Sequence, residues 1–481
     1  MNFSKVYKSI ILVLFLTSCT EDFQEINTNP NAPVDVQPSL LLRQVQWDFA
    51  EQMSYEGFVA GNLLGQYFTA IDFNLFDRHS LNEPQFGGNP WSILYVNLRD
   101  NEILLEKSLD NPALAVYEGP ARIMKAYMSA ILTDIFGDVP YQEAFKGKAG
   151  NIAPAFDQQA DIYTGADGIL DNLEQGISAI ESYQGAIPLE GDILFTGDLE
   201  AWIKFAHSLR LKYLMRISNQ IDVANAVQDI YAAGNFIQSN QENASFDFQN
   251  VPPNNFRMST ARVGDYNLYI MSETIEEVLR DLGDPRMQTF FRPTGNDANT
   301  YQGLLNGPDA SQLSISVSDY SLTGTIFREN ADLLDANYMT AAETHFLLAE
   351  AAVRGYIDAD AKALYEAAVE LSFAYWQTNL PDAYLNSGAA AYGSDGQDVI
   401  EQIITQKWLH NIGNGYEGWI EYRRTGFPKL KTISASLNND LIPARMPYPI
   451  SELTLNSESY QRVAAQTNNN SVNVAVWWDN N

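Results

Sequence analysis

The sequence predicts an all-α fold, and three observations predict it. Apolar residues recur at helical spacing up to recognisable stop signals: Met124, Met128, Ile131 and Ile135 fall at i, i+4, i+7 and i+11, and Gly137 and Pro140 end the run. Two further segments, THFLLAEAAVRG and DADAKALYEAAVELSFAYW, meet at Gly355. In the second, Ala361, Tyr365 and Ala368 have the Ala-x3-aromatic-x2-Ala spacing of a tetratricopeptide second helix, while Leu348 and Ala349 supply the large and small residues of the first. Small residues at those places let two helices approach closely. No period of about 34 residues recurs, and the Gly/Asn/Pro-rich connections at 66–91, 240–267 and 290–330 are too long for a simple repeat array. The expectation is tetratricopeptide-like helix pairs forming a superhelical body with long ligand-binding loops.

At the start of the chain Lys5 and Lys8 precede the apolar run SIILVLFL (9–16), and Thr17 and Ser18 stand before Cys19, the single cysteine. Basic, apolar, small is the order of a secretory signal. The run is about half of the roughly 20 residues a spanning helix needs, so 1–18 reads as an export signal that is removed. Leu-Thr-Ser-Cys resembles the lipobox of bacterial lipoproteins, which implies that Cys19 is lipidated and becomes the first residue. The alternative is a free thiol in an ordinary signal peptide. Glu21 and Asp22 resemble the acidic signal that sends lipoproteins of Bacteroidetes-type bacteria to the cell surface. Residues 19–38 then form a lipidated cysteine and a polar tether containing EINTNPNAPVDVQP, and 39–481 form one domain. A lone cysteine makes no intrachain disulfide, so stability must come from a large core. No later segment is apolar for long enough to span a bilayer, which leaves the lipid as the membrane anchor.

A net charge of -31 and a pI near 4.3 oppose nucleic-acid binding, which needs clustered Lys and Arg. They disfavour anionic lipid surfaces too. The acids are spread along the chain and 46% of it is hydrophobic, a globular and not a disordered composition. Aromatics reach 12%, and rings with a polar edge suit sugar or peptide surfaces as well as cores.

Asp198 is positioned to cap a helix on which Trp202, Phe205, Ala206, Leu209 and Tyr213 make a core-facing stripe. GNGYEG (413–418) fits G-x-G-x-x-G, but it follows the helical pattern VIEQIITQKWLHNI instead of a strand, so its glycines read as a turn. G-x-S-x-G, Walker and H-E-x-x-H motifs are absent. The four histidines, His79, His207, His345 and His410, are far apart and read as solvated or core residues. Asp395, Asp398 and Glu401 offer oxygens for calcium without the EF-hand spacing. No catalytic residue, metal or cofactor is expected.

Candidate ligand residues lie in the loops. In IDFNLF (71–76), Phe73 and Phe76 stand among polar residues off any helical stripe, where accessible rings would stack on a ligand while Asp72 and Asn74 hydrogen-bond at its edges. Trp91 is grouped with them, although Trp91, Tyr95 and Leu98 at i, i+4 and i+7 fit the buried start of a helix equally well. In RVGDY (262–266), Arg262 and Asp265 offer a fork and an acceptor beside Tyr266, and Tyr320 is added from the next loop. The alternative for each ring is that it pins its loop to the body.

ARIMKAYMSAILTDIFGDVPY, FTGDLEAWIKFAHSLRLKYLMRI, NYMTAAETHFLLAEAAVRG, QKWLHNIGNGYEGWIEYRRTGFPKL and RMPYPISELTLNSESY resemble, in this order, the blocks of the SusD/RagB family of outer-membrane lipoproteins, as do INTNPNAP and the terminal VWWD. The resemblance runs from about residue 16 to 478. It implies a surface-exposed, lipid-anchored binding protein that captures glycans, or in some members peptides, for a SusC-type TonB-dependent transporter. A surface glycoside hydrolase or a scaffold without a ligand are the competing readings. Trp419, Tyr422, Arg423 and Arg424, with Gly426 and Pro428 after them, read as a packed and paired elbow, and Arg286 reads likewise. No ligand residue is carried over, because the family's contacts lie in variable loops.

Overall fold

Asp198 starts a helix as its sequence position requires, and Asp360 starts another. The Asp198 carboxylate accepts from Glu200 N and Ala201 N, and that of Asp360 from Lys362 N and Ala363 N. The computed structural model describes residues 36–82, 87–309, 311, 315–396 and 398–479. The export signal, Cys19 and the tether as far as residue 35 lie outside the described residues.

The body is mostly helical. We number its principal helices α1 (Pro38–Glu56), α2 (Trp91–Asp110), α3 (Glu118–Phe136), α4 (Ile169–Ser182), α5 (Leu199–Ile217), α6 (Ala341–Val353), α7 (Ala361–Tyr375), α8 (Val399–His410), α9 (Glu417–Thr425), α10 (Ile450–Leu455) and α11 (Ser457–Gln466). Helix α3 is apolar and buried almost all round, with α2, α4 and α5 packed on it, and Gly137 at φ +83 ends it. The stripe of α5 is buried as expected, from Trp202 to Tyr213. Helices α6 and α7 form the tetratricopeptide-like pair: Ala349, Tyr365 and Ala368 have no exposed surface, and Gly355 turns between them at φ +73.

The body also carries four short strands, β1 (Phe68–Ala70) and β2 (Ala244–Asp247) within segments read from sequence as loops, and β3 (Tyr269–Met271) and β4 (Asp335–Met339) just beyond such segments. They make two antiparallel ladders. Phe68 faces Met271 and Ala70 faces Tyr269, while in the other ladder Asp247 faces Asp335.

GNGYEG is a turn joining α8 to α9, with Gly413 and Gly415 at φ +80 and +51. A helical turn at 57–61 crosses it so closely that a Cβ on Gly61 would lie 1.8 Å from the Gly415 carbonyl oxygen. The elbow after it is packed and paired. The Arg423 guanidinium lies 3.7 Å from the Trp419 ring centroid, and Arg424 bonds Glu350 and Glu421 at 2.6 and 2.7 Å. A buried ion network continues inward through Lys407–Glu421, Arg216–Glu417, Arg216–Asp134 and Lys212–Glu343. Arg286 is fully buried, bonded to Asp284 and Gln406. Burial pushes the imidazoles of His79 and His207 down to about 4 and that of His410 to about 3, as expected of histidines enclosed by the body.

Candidate functional site

The β1–β3 ladder brings the two sequence-predicted loop stretches together. Past the register pair Ala70–Tyr269, Ile71 N donates to Leu268 O at 3.0 Å, so 71–76 leaves the ladder at the end where 262–268 enters it. Aromatic packing makes that end rigid. Phe58 touches Phe68, Tyr269 and Phe327 at ring-centroid distances of 5.1, 5.2 and 5.7 Å and stacks on Tyr266 at 5.8 Å.

Asp77 fixes the 71–76 loop. Its Oδ2 accepts from Thr69 Oγ1, Ala70 N and Gly307 N, and its Oδ1 accepts from Asn306 Nδ2. Burial raises this carboxyl, and those four hydrogen bonds oppose the shift. Asn74 is buried as well, and its side chain donates to Ala70 O and Pro308 O.

With the loop so held, Phe73 turns outward. It is 55% exposed at φ +47, a backbone conformation that a bulky residue adopts only under constraint, and the Asp72 carboxylate accepts from its amide at 2.8 Å. Across the ladder end Arg262, whose side chain is 80% exposed, pairs with Asp265 at 2.6 Å.

The expectation of accessible rings is corrected at three positions. Phe76 is buried against Gly88. Tyr266 is enclosed between Phe58 and Arg328, its hydroxyl donates to Gly324 O at 3.0 Å, and burial pushes its phenol up to about 12. Trp91 opens α2 and packs on Tyr95, Phe136 and Tyr448, the alternative that its i, i+4, i+7 spacing raised. Tyr320 is half-buried near the opposite end of the ladder, since Met271 N donates to Ser321 O. Asp72, Phe73 and Arg262 thus stay exposed and Asp265 half-exposed, on the two segments that meet at this end of the ladder.

Two neighbours escaped the sequence reading. The Arg257 guanidinium lies 4.3 Å from the ring centroid of Tyr55 and 3.8 Å from Glu51, and Asp265 acts electrostatically on the same tyrosine. The available signal was that Tyr55 falls off the buried stripe of α1, which runs through Phe49, Met53 and Glu56.

Asp398 is spent on capping α8, its carboxylate accepting from Ile400 N at 2.8 Å. Among the described residues no cluster of three or more His, Cys, Asp or Glu side chains is placed to hold a metal ion, and no helix is long and apolar enough to cross a membrane.

The SusD-like family model of starch-binding proteins associating with the outer membrane matches residues 30–449. Solved structures share the fold. A SusD homolog from Bacteroides fragilis NCTC 9343 superposes with a TM-score of 0.77 at 25% identity, over 92% of this chain and 99% of that one. A second SusD homolog from the same strain gives 0.79 at 24%, over 92% and 100%. A chitin-binding protein gives 0.76 at 24%, over 92% and 100%. No curated protein matches the chain in sequence.

Proposed function

Because the chain belongs to the SusD-like family of starch-binding proteins associating with the outer membrane, we propose that it captures oligosaccharides at the cell surface and passes them to a SusC-type TonB-dependent transporter. In this reading residues 1–18 are the export signal, lipidated Cys19 and the tether to 38 form the anchor, and 39–481 form the binding body. The observation that supports the ligand assignment is Phe73, an aromatic residue 55% exposed on a loop that Asp77 holds in place. A sugar ring presents an apolar face to such a platform and hydroxyls at its edge. Asp72 and Asp265 accept from those hydroxyls and the Arg262 fork donates to them.

Hydrolysis would need two carboxyl groups at a fixed separation with one held protonated, whereas capture needs only the stacking and hydrogen-bonding groups just named. The exposed guanidinium groups of Arg257 and Arg262 favour peptide carboxylates as the second reading. A glycan and peptide array probed with the purified body, followed by chromatography of any bound sugar, separates the three. Retention of an intact oligosaccharide is expected. Binding of peptides alone, or release of shortened products, would replace the proposal with one of its rivals.

A further inference from the structure

The short turn 257–260 is anchored on both sides of its first residue. Phe256 is buried against Phe248 and Phe58 at ring-centroid distances of 5.5 and 5.9 Å, and Met258 is buried as well. Arg328 Nη1 donates to Met258 O and Ala261 O at 3.0 and 2.6 Å, which ties the turn to the residue that follows it. Between these fixed neighbours the Arg257 side chain stays 54% exposed.

What holds its guanidinium is a ring. It lies 4.3 Å from the centroid of Tyr55, and Nε is 3.8 Å from Oε1 of Glu51, one turn earlier on α1. An ion pair at that distance is not a hydrogen bond, and no hydrogen bond joins this guanidinium to a described residue. Glu56, a buried acid that also feels Arg257, is engaged by Gly88 N and the Tyr416 hydroxyl. Arg262, five residues on, is arranged differently, since Asp265 accepts from its Nε and Nη2 at 3.2 and 2.6 Å. Contact with a ring face leaves the N–H groups of a guanidinium available. Glu51 stands nearest the Nε end, so Nη1 and Nη2 are held in place without an acceptor.

We propose that Arg257, seated on Tyr55, is a carboxylate-reading subsite, and that the captured oligosaccharide carries uronic acid residues. An ionised carboxylate presents two oxygens to a guanidinium fork, the pairing that fixes both distance and orientation. A chain of net charge -31 repels an anionic sugar in general, so binding one requires a local cation at the point of contact, whereas a neutral sugar makes no use of it. The Cα atoms of Arg257 and Arg262 are at most about 18 Å apart along the chain, within the length of a hexasaccharide. Asp265 acts electrostatically on Tyr55, which places the Arg262–Asp265 pair and the Arg257–Tyr55 pair in one neighbourhood. The inference rests on the glycan reading of the protein and adds to it the charge of the sugar.

Titration calorimetry of the full-length protein tests it, with a panel of neutral and uronate-containing hexasaccharides, the methyl ester of each uronate, and hexaglutamate as a peptide of the same charge. A uronate oligosaccharide is expected to bind tightest, with its methyl ester at least tenfold weaker. Arg257→Gln should weaken the uronate by a similar factor and leave the ester within about twofold of the parent. A neutral sugar as the tightest ligand, or a uronate held equally by the parent and Arg257→Gln, overturns the inference; loss of that sugar in Phe73→Ala then leaves glycan capture standing. Hexaglutamate bound more tightly than every sugar, or no sugar bound at all, overturns both. Equal melting temperatures across the variants show that the fold is intact.

Discussion

Phe73 and Phe76 are three residues apart in one loop, yet Phe73 is 55% exposed and Phe76 only 5%. Their replacement by glycine should therefore diverge. Phe73→Gly relieves a left-handed backbone that costs a bulky residue about 1–2 kcal/mol, so stability should stay within about 1 kcal/mol of the parent or rise. Phe76→Gly empties a packed site and should cost about 3–5 kcal/mol. Urea unfolding of both variants checks the contrast, and similar losses would show that Phe73 is a packing residue. Glu350 belongs to the buried network and is held below the usual carboxylate range by Arg424 against the opposing effect of its burial. Glu350→Gln leaves Arg424 undercompensated and should cost about 3–5 kcal/mol by the same assay. A loss below about 1 kcal/mol would mean that Glu421 alone satisfies the guanidinium. Acid should unfold the protein through the same interior. His79 and His410 have folded values near 4 and 3, so the unfolded chain takes up protons first as pH falls below about 6.5, and stability drops from there. Glu417, lowered to about 2, continues the loss below about 4.5.

Among the elements, the β2–β4 ladder carries a like-charge cross-strand pair, Asp247 opposite Asp335. Burial, and then Asp247, push the Asp335 carboxyl up to about 7. A raised carboxyl favours the fold while it is protonated, fully below about 3.9, and that contribution is lost as pH rises through 7. Asp335→Asn should then raise the melting temperature at pH 8 by the equivalent of about 2 kcal/mol, with a smaller gain at pH 5. Equal gains at both pH values would show that the pair does not share a proton. The helices were legible in the sequence because their information is local: the period of α3, the aspartate cap of α5, and Gly355 at the turn all fall within a few residues of what they determine. The ladders were not, since strands of three to five residues are selected by partners such as Ala70 and Tyr269, far apart in the chain. The ion network escaped for the same reason, Arg216 and Glu417 being 201 residues apart. Which ring of 71–76 faces outward was equally unreadable, because Asp77 and its contacts with Asn306 and Gly307 decide it.

For the whole molecule, the claim is a rigid helical body that offers a sugar-binding surface outside the membrane and is held there by lipid. Cys19→Ala should move the protein out of the membrane fraction without changing its melting temperature, since the cysteine precedes the helical body. Retention after a carbonate wash would require another anchor. The native protein should also co-purify with a large TonB-dependent barrel from detergent-solubilised outer membranes, and its isolation alone would count against delivery to a transporter. Capture itself is tested most directly by titrating an array-selected oligosaccharide into the body and into Phe73→Ala/Arg262→Ala. A loss of at least about tenfold in affinity, some 1.4 kcal/mol, with an unchanged melting temperature is the expected result. Unchanged affinity in the double variant would contradict the placement of the site, and turnover of the sugar would contradict capture as the function.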